Sequence, residues 1–321
     1  MNVVRRLAVA ALVSLAAALP ATAQTYPARN ITLIVPFTAG GPSDAIARLL
    51  GQSMSTTLGQ QIVIENVAGA GGTTGAARLA KAEPDGYTLL IHHVALPAAA
   101  SLYNNLTYDT LRDFEPLGLV NQGPMVVATR KDYPAKDAPE LFARIRSDGT
   151  RVTMAHAGIG SNAHLCGVLL QGALGAKVTE VAYRGTGPAM NDLMGGQVDL
   201  LCDQSTNAVP QIQAGTVRAY AVTSSTRLDV LGDVPTMREA GLPGFEFVIW
   251  HGLYAPRGTP PAVLDALGRA LRTALADATI KARFAGVGTQ VFPAEEQSPA
   301  AHRARFESEV ATWRKLLAAA P

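Results

Sequence analysis

The sequence predicts an α/β protein with open, mostly parallel sheets. Short apolar runs with the character of buried strands alternate with helical stretches along the chain, a pattern typical of sheets covered by helices. In three places a β-like run, a turn rich in Gly and Ser and a helix start follow one another, at 31–46, 152–165 and 181–193. The chain has 321 residues, more than one hydrophobic core usually holds, so we expect two lobes.

The N-terminal residues predict a secretory signal peptide over 1–23. Arg5 and Arg6 form a basic start, residues 7–19 are apolar, and Ala21-Thr22-Ala23 has the small-x-small form of a cleavage site. The apolar stretch is short for a stable membrane span, and an uncleaved anchor is the alternative interpretation. We therefore expect the mature protein in the periplasm.

Charge and composition do not favour nucleic acid as a partner. The chain has 27 Lys+Arg and 25 Asp+Glu, and removing the two arginines of the predicted signal peptide (27 − 2) leaves 25 of each sign. No run of Lys or Arg provides a basic surface. We expect a monomer that binds a small molecule and needs no cofactor.

Strands and helices alternate in order from residue 31. The first elements are a buried strand at 31–36, a helix over 44–58, a strand at 61–65, and a Gly-rich turn that leads into a helix over 69–81. The strands predicted after these are 87–91, 125–129, 152–155, 178–183, 198–202 and 217–223. The later predicted helices are 140–146, 162–174, 188–194, 207–214, 260–276 and 299–318.

Each of the three Gly- and Ser-rich turns places backbone N–H groups at a helix N-terminus. These groups have no partner inside the helix, and the helix dipole favours an anion beside them. In the first turn Gly40 and Gly41 permit close backbone approach, and Ser43 or Asp44 is expected to cap the helix. Well-formed βα turns without a ligand are the alternative. The pattern predicts a site that holds a small anion.

No catalytic motif accompanies these turns. Residues 69–75 (GAGGTTG) lack the third glycine of the dinucleotide-binding pattern, and 158–162 (GIGSN) is not the nucleophile elbow of hydrolases. His92, His93 and His156 are potential metal ligands, but their spacing matches no known metal motif. We expect neither catalytic residues nor a metal site, with a periplasmic hydrolase as the less favoured alternative.

Long runs of the chain carry a family resemblance. In the first half they are YPARNITLIVPFTAGGPSDAIARLL, VIENVAGAGGTTGAARLAKAEPDGYTLL and LRDFEPLGLV. In the second half they are GIGSNAHL, VAYRGTGPAMNDLMGGQVDLLCDQ, IQAGTVRAYAVTS, DVPTMREAGLPGFE and WHGLYAPRGTP. Together they resemble the Bug family of periplasmic solute receptors, which are associated with tripartite tricarboxylate transporters. The resemblance implies that the chain captures a small organic carboxylate for membrane permease subunits, or reports it to a sensor.

The resemblance also implies a two-lobed "Venus flytrap" fold. Lobe 1 would comprise residues 24–124 and 248–321, and lobe 2 residues 125–247. The chain would cross between the lobes near 121–124 and again near 247–252. The ligand would lie in the cleft between the lobes, outside the carboxyl ends of the strands.

In this family the loop that corresponds to residues 37–44 holds one ligand carboxylate through backbone groups, often with ordered waters. Ser161 is expected to cap its helix, and Asp203 either binds a ligand group or caps the next helix. His92 and His93 stand at the rim of lobe 1, where the family commonly has small polar residues. The predicted ligand-binding residues are Phe37, Thr38, Ala39, Gly40, Gly41, Ser43, His92, His156, Gly158, Ile159, Gly160, Ser161, Tyr183, Gly185 and Asp203.

Two cysteines, Cys166 and Cys202, form an isolated pair in a predicted oxidising compartment. One lies early in a predicted helix and the other ends a predicted strand, so both lie near the same edge of the sheet. A disulfide and two buried free thiols are both compatible with this placement.

Overall fold

The computed structural model describes residues 26–318, so the predicted signal peptide lies outside the described residues. The strands are β1 (Ile31–Val35), β2 (Ile62–Asn66), β3 (Thr88–His93), β4 (Phe114–Arg130), β5 (Thr153–His156), β6 (Thr179–Ala182), β7 (Leu200–Gln204), β8 (Val217–Val222), β9 (Val248–Pro256) and β10 (Gln290–Val291). The α-helices are α1 (Pro42–Leu58), α2 (Thr73–Ala80), α3 (Ala95–Leu102), α4 (Ala138–Asp148), α5 (Asn162–Leu174), α6 (Thr186–Met194), α7 (Ser205–Gln213), α8 (Pro261–Ala276), α9 (Ala278–Ala285) and α10 (Pro299–Ala318).

The strands follow the order β2-β1-β3-β9-β4-β7-β5-β6, and β8 and β10 also pair with β4. Between the strands of residues 26–318, parallel pairing joins β1 to β2 and β3, and β5 to β6 and β7. The pairs made by β4 and β9 in the centre are antiparallel. The prediction of mostly parallel sheets is therefore wrong for the centre, because two long antiparallel strands join two parallel units.

Strand β4 changes partners along its length. Its first part pairs with β9 as far as Pro124 opposite Val248, and its second part pairs with β7 and β8 from Met125 onward. We call the elements around β1, β2, β3 and β9 the first lobe, and those around β5 to β8 the second lobe. The segments expected to cross between lobes lie side by side, with Asn121 opposite His251. The residue boundaries of the lobes stay a prediction.

Each lobe buries an apolar cluster of its own between sheet and helices, and a third cluster contains residues of both lobes, such as Leu90 and Leu165. In the first lobe Leu33 and Leu253 pack with Leu50 of α1 and Leu271 of α8. In the second lobe Val126, Ala155 and Leu201 pack with residues of α6 and α7. No helix among residues 26–318 combines the length and the apolar composition that crossing a membrane requires.

A disulfide joins Cys166 of α5 to Cys202 of β7, with a Cα–Cα distance of 6.2 Å. Both residues are completely buried. The bond lies within the second lobe and ties the helix that follows Ser161 to the strand that leads to Asp203.

Candidate functional site

A small cavity lies between the lobes where α1, α5 and α6 begin. Its volume is about 20 Å³, enough for roughly one water molecule. Its lining combines backbone turns with uncharged polar side chains and one carboxyl group. The lining residues are Phe37, Pro42, Ser43, His93, Met125, Ala157, Ser161, Asn162, Ala163, Thr186, Asp203 and Gln204.

The turn before α1 brings the first helix N-terminus to this cavity. Pro42 begins the helix and Gly41 is the N-cap residue, with no side-chain cap. The expectation that Ser43 or Asp44 caps α1 is therefore wrong. The Asp44 carboxylate instead accepts hydrogen bonds from the Gly40 N–H at 3.1 Å and the Arg48 Nε at 3.0 Å.

These contacts also explain why Asp44 does not oppose an anion. Burial would raise the pKa of its carboxyl group, but hydrogen bonds from Arg48, Gly40 and Asn66 lower the pKa below its ordinary value. The charge is held inside the first lobe by these donors and is not among the groups that line the cavity.

The turn before α5 provides the second helix N-terminus. Ser161 caps this helix as predicted, because its Oγ accepts from the His164 N–H at 3.3 Å. Among residues 26–318 we find no acceptor for the backbone N–H groups of Asn162 and Ala163, and both residues line the cavity. These two N–H groups are available to an anion.

Two imidazoles hold the same turn in shape. The Gly158 N–H donates to His156 Nδ1 at 3.1 Å, and the Gly160 N–H donates to His164 Nδ1 at 3.2 Å. Both bonds require an unprotonated Nδ1. The predicted ligand residue His156 therefore shapes the turn from behind and does not line the cavity.

The turn before α6 brings Thr186 to the cavity, whereas Tyr183 faces elsewhere. The Tyr183 hydroxyl donates to Asp192 Oδ2 at 2.6 Å, and burial together with that carboxylate raises the pKa of Tyr183 to about 12. Arg184, which follows Tyr183 in this turn, is exposed to solvent and does not line the cavity.

Asp203 is completely buried at the end of β7. It accepts from the Gln204 N–H at 2.8 Å and from the Asn207 side chain, so it also ties the start of α7. Burial raises its pKa to about 7, although these hydrogen bonds act in the opposite direction.

Several buried polar atoms beside Asp203 have no partner among the described residues. They are the oxygen and nitrogen of the Asn162 amide and Oε1 of Gln204. Buried polar groups are normally paired, so unpaired ones that border a cavity indicate a place for a ligand or water. No Lys or Arg lines the cavity.

The loops around the cavity touch across the lobes. The Tyr103 hydroxyl of the first lobe donates to the Ile159 carbonyl of the second at 2.7 Å. A Cβ added to Gly71 would lie 1.8 Å from that same carbonyl oxygen, and one added to Gly185 would lie 2.1 Å from Thr38 Oγ1. The lobes are therefore closed on each other, and glycines permit the contact.

The structure thus brings together four of the predicted ligand-binding residues: Phe37, Ser43, Ser161 and Asp203 line the cavity. The others lie in the same turns or beside them without lining it: Thr38, Ala39, Gly40, Gly41, His92, His156, Gly158, Ile159, Gly160, Tyr183 and Gly185. His92, expected at the rim, is only 1 % exposed.

Eight residues that line the cavity are not among the predicted ligand-binding residues. They are Pro42, His93, Met125, Ala157, Asn162, Ala163, Thr186 and Gln204. Most of them directly neighbour a predicted residue, so the first residues of each helix after the Gly-rich turns were the available signal. Within residues 26–318 no group of three His, Cys, Asp or Glu side chains is placed to hold a metal ion.

Several solved structures of periplasmic proteins are similar to this one. The structure is similar to that of the periplasmic binding protein BugD, with 46 % identity, a TM-score of 0.90, and coverage of 92 % of this chain and 98 % of that one. It is also similar to MatC from Rhodopseudomonas palustris with bound malate, with 41 % identity, a TM-score of 0.88, and coverage of 91 % and 100 %. A third similar structure is R. palustris Rpa4515 with adipate, with 32 % identity, a TM-score of 0.87, and coverage of 92 % and 98 %.

These relatives establish the two-lobed periplasmic-binding-protein fold for the chain. The family model described as "Tripartite tricarboxylate transporter family receptor" matches residues 46–319. The chain therefore belongs to the tripartite tricarboxylate transporter receptor family, that of the Bug-type periplasmic solute-binding proteins.

Proposed function

We propose that the chain is a periplasmic receptor that captures a small organic carboxylate and delivers it to the permease of a tripartite tricarboxylate transporter. One observation carries the ligand class: hydrogen-bond donors at a helix N-terminus, unpaired in the structure, face a closed cavity between the lobes. The backbone N–H groups of Asn162 and Ala163 are such donors in the second lobe. Related receptors with malate and adipate bound support the same class of ligand.

In this proposal the ligand acts by holding the lobes together. A dicarboxylate is larger than the 20 Å³ cavity, so the lobes of the ligand-bound form are closed around the acid but slightly further apart than in this structure. A ligand that contacts both lobes makes its full set of bonds only in that form, so binding shifts the equilibrium toward it. The antiparallel pair β4–β9, where the predicted crossings lie side by side, is the segment about which the lobes would move. The change of partners at Pro124 and Met125 supports lobe boundaries at 124/125 and 247/248.

The compartment and partner are part of the proposal. The predicted signal peptide and the receptor family support export to the periplasm, and the family's description supports a permease partner. A sensor protein that recognises the closed form is the alternative partner.

A thermal-shift screen of mono-, di- and tricarboxylic acids tests the ligand class. An acid that binds only the folded protein must raise the melting temperature. We expect one or more dicarboxylates to do so and their diamides to have no effect. Calorimetry should then give a much weaker affinity for the diamide than for the acid. Equal affinities, or no response to any acid, would contradict the proposal.

The same samples separate a receptor from a hydrolase. After incubation with the protein, a receptor returns the acid, and any ester or amide of it, chemically unchanged. Mass spectrometry that shows turnover above that of a heat-denatured control would instead support the enzymatic alternative.

A further inference from the structure

Three buried histidines form a cluster in the first lobe beside the cavity, and the ligand class proposed above does not account for them. His92 and His93 end β3, and His251 lies opposite His93 in β9. The His93 ring stacks on Phe37 with centroids 4.9 Å apart and meets His251 edge-on at 5.4 Å. Of the three histidines, only His93 lines the cavity.

The hydrogen bonds of His93 fix where its proton lies. Its Nδ1 accepts from the Ala95 N–H at 3.2 Å, so Nδ1 carries no hydrogen. Burial, with His92 and His251 nearby, keeps the pKa of His93 well below its ordinary value, and the ring is neutral. The ring hydrogen therefore lies on Nε2, for which we find no acceptor among residues 26–318. His93 is consequently a neutral donor beside the cavity.

Because of His251, the Ser43 hydroxyl is also a hydrogen-bond donor toward the cavity. Ser43 Oγ and His251 Nε2 lie 3.1 Å apart, and His251 Nδ1 has no partner among the described residues. A buried N–H without an acceptor is costlier than a bare nitrogen lone pair, so the geometry favours a hydrogen on Nε2. His251 then donates to Ser43, and the hydroxyl hydrogen of Ser43 is left for the cavity.

We propose that His93 is a specificity-determining ligand contact, whose Nε2–H and the Ser43 hydroxyl together donate to one carboxylate of the bound acid. This inference rests on the proposed function and assigns the residue that recognises one end of the ligand. The opposite end meets the backbone N–H groups of Asn162 and Ala163. His251 acts through Ser43 and is a positioning residue.

A pair of donors discriminates between ligands, because a ligand that cannot accept both hydrogen bonds leaves a buried donor without a partner. A carboxylate accepts both hydrogen bonds, whereas an ammonium or an amide NH₂ at the same place leaves one or both donors buried without an acceptor. Sites built in this way reject an analogue that lacks the partner group, by roughly ten- to hundredfold for a charge-assisted hydrogen bond.

The tautomer of His93 can be tested on the free protein. Nitrogen-15 NMR of histidine-labelled protein at neutral pH should show His93 with an unprotonated Nδ1 and a protonated Nε2. The Nε2–H signal should shift when the strongest-binding acid of the screen is added. A hydrogen on Nδ1, or no shift at saturating acid, would overturn the inference without any variant.

Calorimetry of variants provides the second test, with that acid and its monoamide as probes (succinate and succinamate, for instance). We expect His93→Leu to bind the acid roughly ten- to hundredfold more weakly and to lose most of its preference over the monoamide. His93→Gln, which keeps an N–H donor at similar reach, should retain much of both.

His302→Leu is the matched control, because His302 is also fully buried but packs on Trp250 and Tyr254, away from the cavity. It should bind the acid as the wild type does. If the wild type binds the acid and His93→Leu binds it equally well, the inference about His93 falls and the proposed function stands. If the wild type binds no carboxylate, the proposed function falls and the inference with it.

Discussion

The side-chain amide of Asn162 is 3 % exposed, and neither its oxygen nor its nitrogen is paired with another described residue. An unpaired buried amide costs about 1–3 kcal/mol of unfolding free energy. The residue follows the Ser161 cap and lines the cavity, where a ligand could supply both missing hydrogen bonds. Function and stability therefore make opposite demands on this position.

Asn162→Leu should separate the two demands. Because the apolar side chain has a similar volume and needs no partner, we expect the free protein to melt at the same or a higher temperature. The affinity for the acid should fall roughly tenfold or more, because the amide's bonds to the ligand are lost. Melting curves and calorimetry on the same preparation measure both effects.

Asn121→Leu is the contrast for this prediction. The Asn121 amide is also buried, and although its oxygen has no partner among the described residues, its Nδ2 donates to Thr289 Oγ1 at 2.8 Å, so loss of this bond should lower the melting temperature. A fall in melting temperature for Asn162→Leu as large as that for Asn121→Leu would show that the Asn162 amide is paired in the free protein.

The turns of the site are more predictable from the sequence than the side chains that line it. Ser161 is recognisable because a cap residue has a characteristic type and position. Asn162 and Gln204 have no such signature, because their importance comes from which way a buried amide points after the lobes close. His92 and His93 both depart from the small polar residues common in the family, but which of them faces the cavity depends on how β3 ends.

At the scale of elements, the Gly-rich turn before α2 is part of the contact between the lobes. Gly71 has φ of +62°, and a Cβ at this position would lie 1.8 Å from the Ile159 carbonyl oxygen. Since the clash is with backbone, it cannot be relieved by turning a side chain.

Gly71→Ala should keep the lobes from closing fully and weaken ligand binding by at least tenfold. Gly59→Ala is the matched control, because Gly59 has φ of +68° but no atom within 4 Å of an added Cβ. Both variants carry the strain of a left-handed residue, about 1 kcal/mol, so both should melt below the wild type, and Gly71→Ala should melt at the lower temperature because it also loses the contact between the lobes. Calorimetry should show the loss of affinity for Gly71→Ala alone, and equal affinities would mean that this contact is not needed for binding.

The disulfide acts at the same scale, because it ties α5, which begins at the cavity, to β7, which ends there. It closes a segment with a sequence separation of 36 residues, for which loss of the bond typically costs about 2–4 kcal/mol. Cys166→Ala/Cys202→Ala should therefore melt at a clearly lower temperature. The affinity for the acid should change only a few-fold, because the bond lies within one lobe and does not restrain closure.

Reductant provides the control for the disulfide. It should lower the melting temperature of the wild type toward that of the double variant and leave the double variant unchanged. An identical melting temperature for the wild type with and without reductant would contradict a stabilising role for the bond.

Strands and helices are predictable where their sequences show a clear apolar pattern or a helix cap. The apolar run of β1 and the capped start of α5 are clear from the sequence. The first half of β4 and all of β9 were not assigned as strands, since β4 contains Pro116, Gly123 and Pro124, residues that are typical of loops. Long-range pairing overrides this local preference: Pro116 lies at a register shift, and Pro124 lies where the strand exchanges partners. Such pairing cannot be seen in a local sequence pattern.

For the whole molecule, the histidines set the response to acid. The sequence has six, and burial lowers the pKa of each one, His92, His93, His156, His164, His251 and His302. For His92, His251 and His302 the pKa falls to about 3. Below the ordinary histidine pKa the unfolded chain therefore binds more protons than the folded protein does, and acid favours unfolding.

The direction in which the free energy of unfolding changes with pH follows from this difference in the number of bound protons. Above about pH 6.5 neither state protonates these histidines, and their effect on stability is constant. As the pH falls below that value, the free energy of unfolding should fall by up to about 1.4 kcal/mol per pH unit for each histidine. Asp203 and Glu309 act in the opposite sense, because burial raises their pKa and they stabilise the fold as the pH falls. Because six histidines lose stability in acid and only these two carboxyl groups gain it, we expect a net loss of stability as the pH falls.

Urea unfolding at intervals between pH 8 and pH 5 measures this balance. We expect a plateau at the alkaline end and a steepening loss of unfolding free energy below about pH 6.5. His302→Leu removes one histidine whose ring nitrogens have no partner among the described residues, so its curve should be shallower than that of the wild type by close to one proton. Cys166→Ala/Cys202→Ala, which removes no histidine, should be less stable at every pH with an unchanged slope. A wild-type curve that stays flat down to pH 5 would mean that the histidines are accessible to protons in the folded protein, and the neutral donor role of His93 would need to be reconsidered with them.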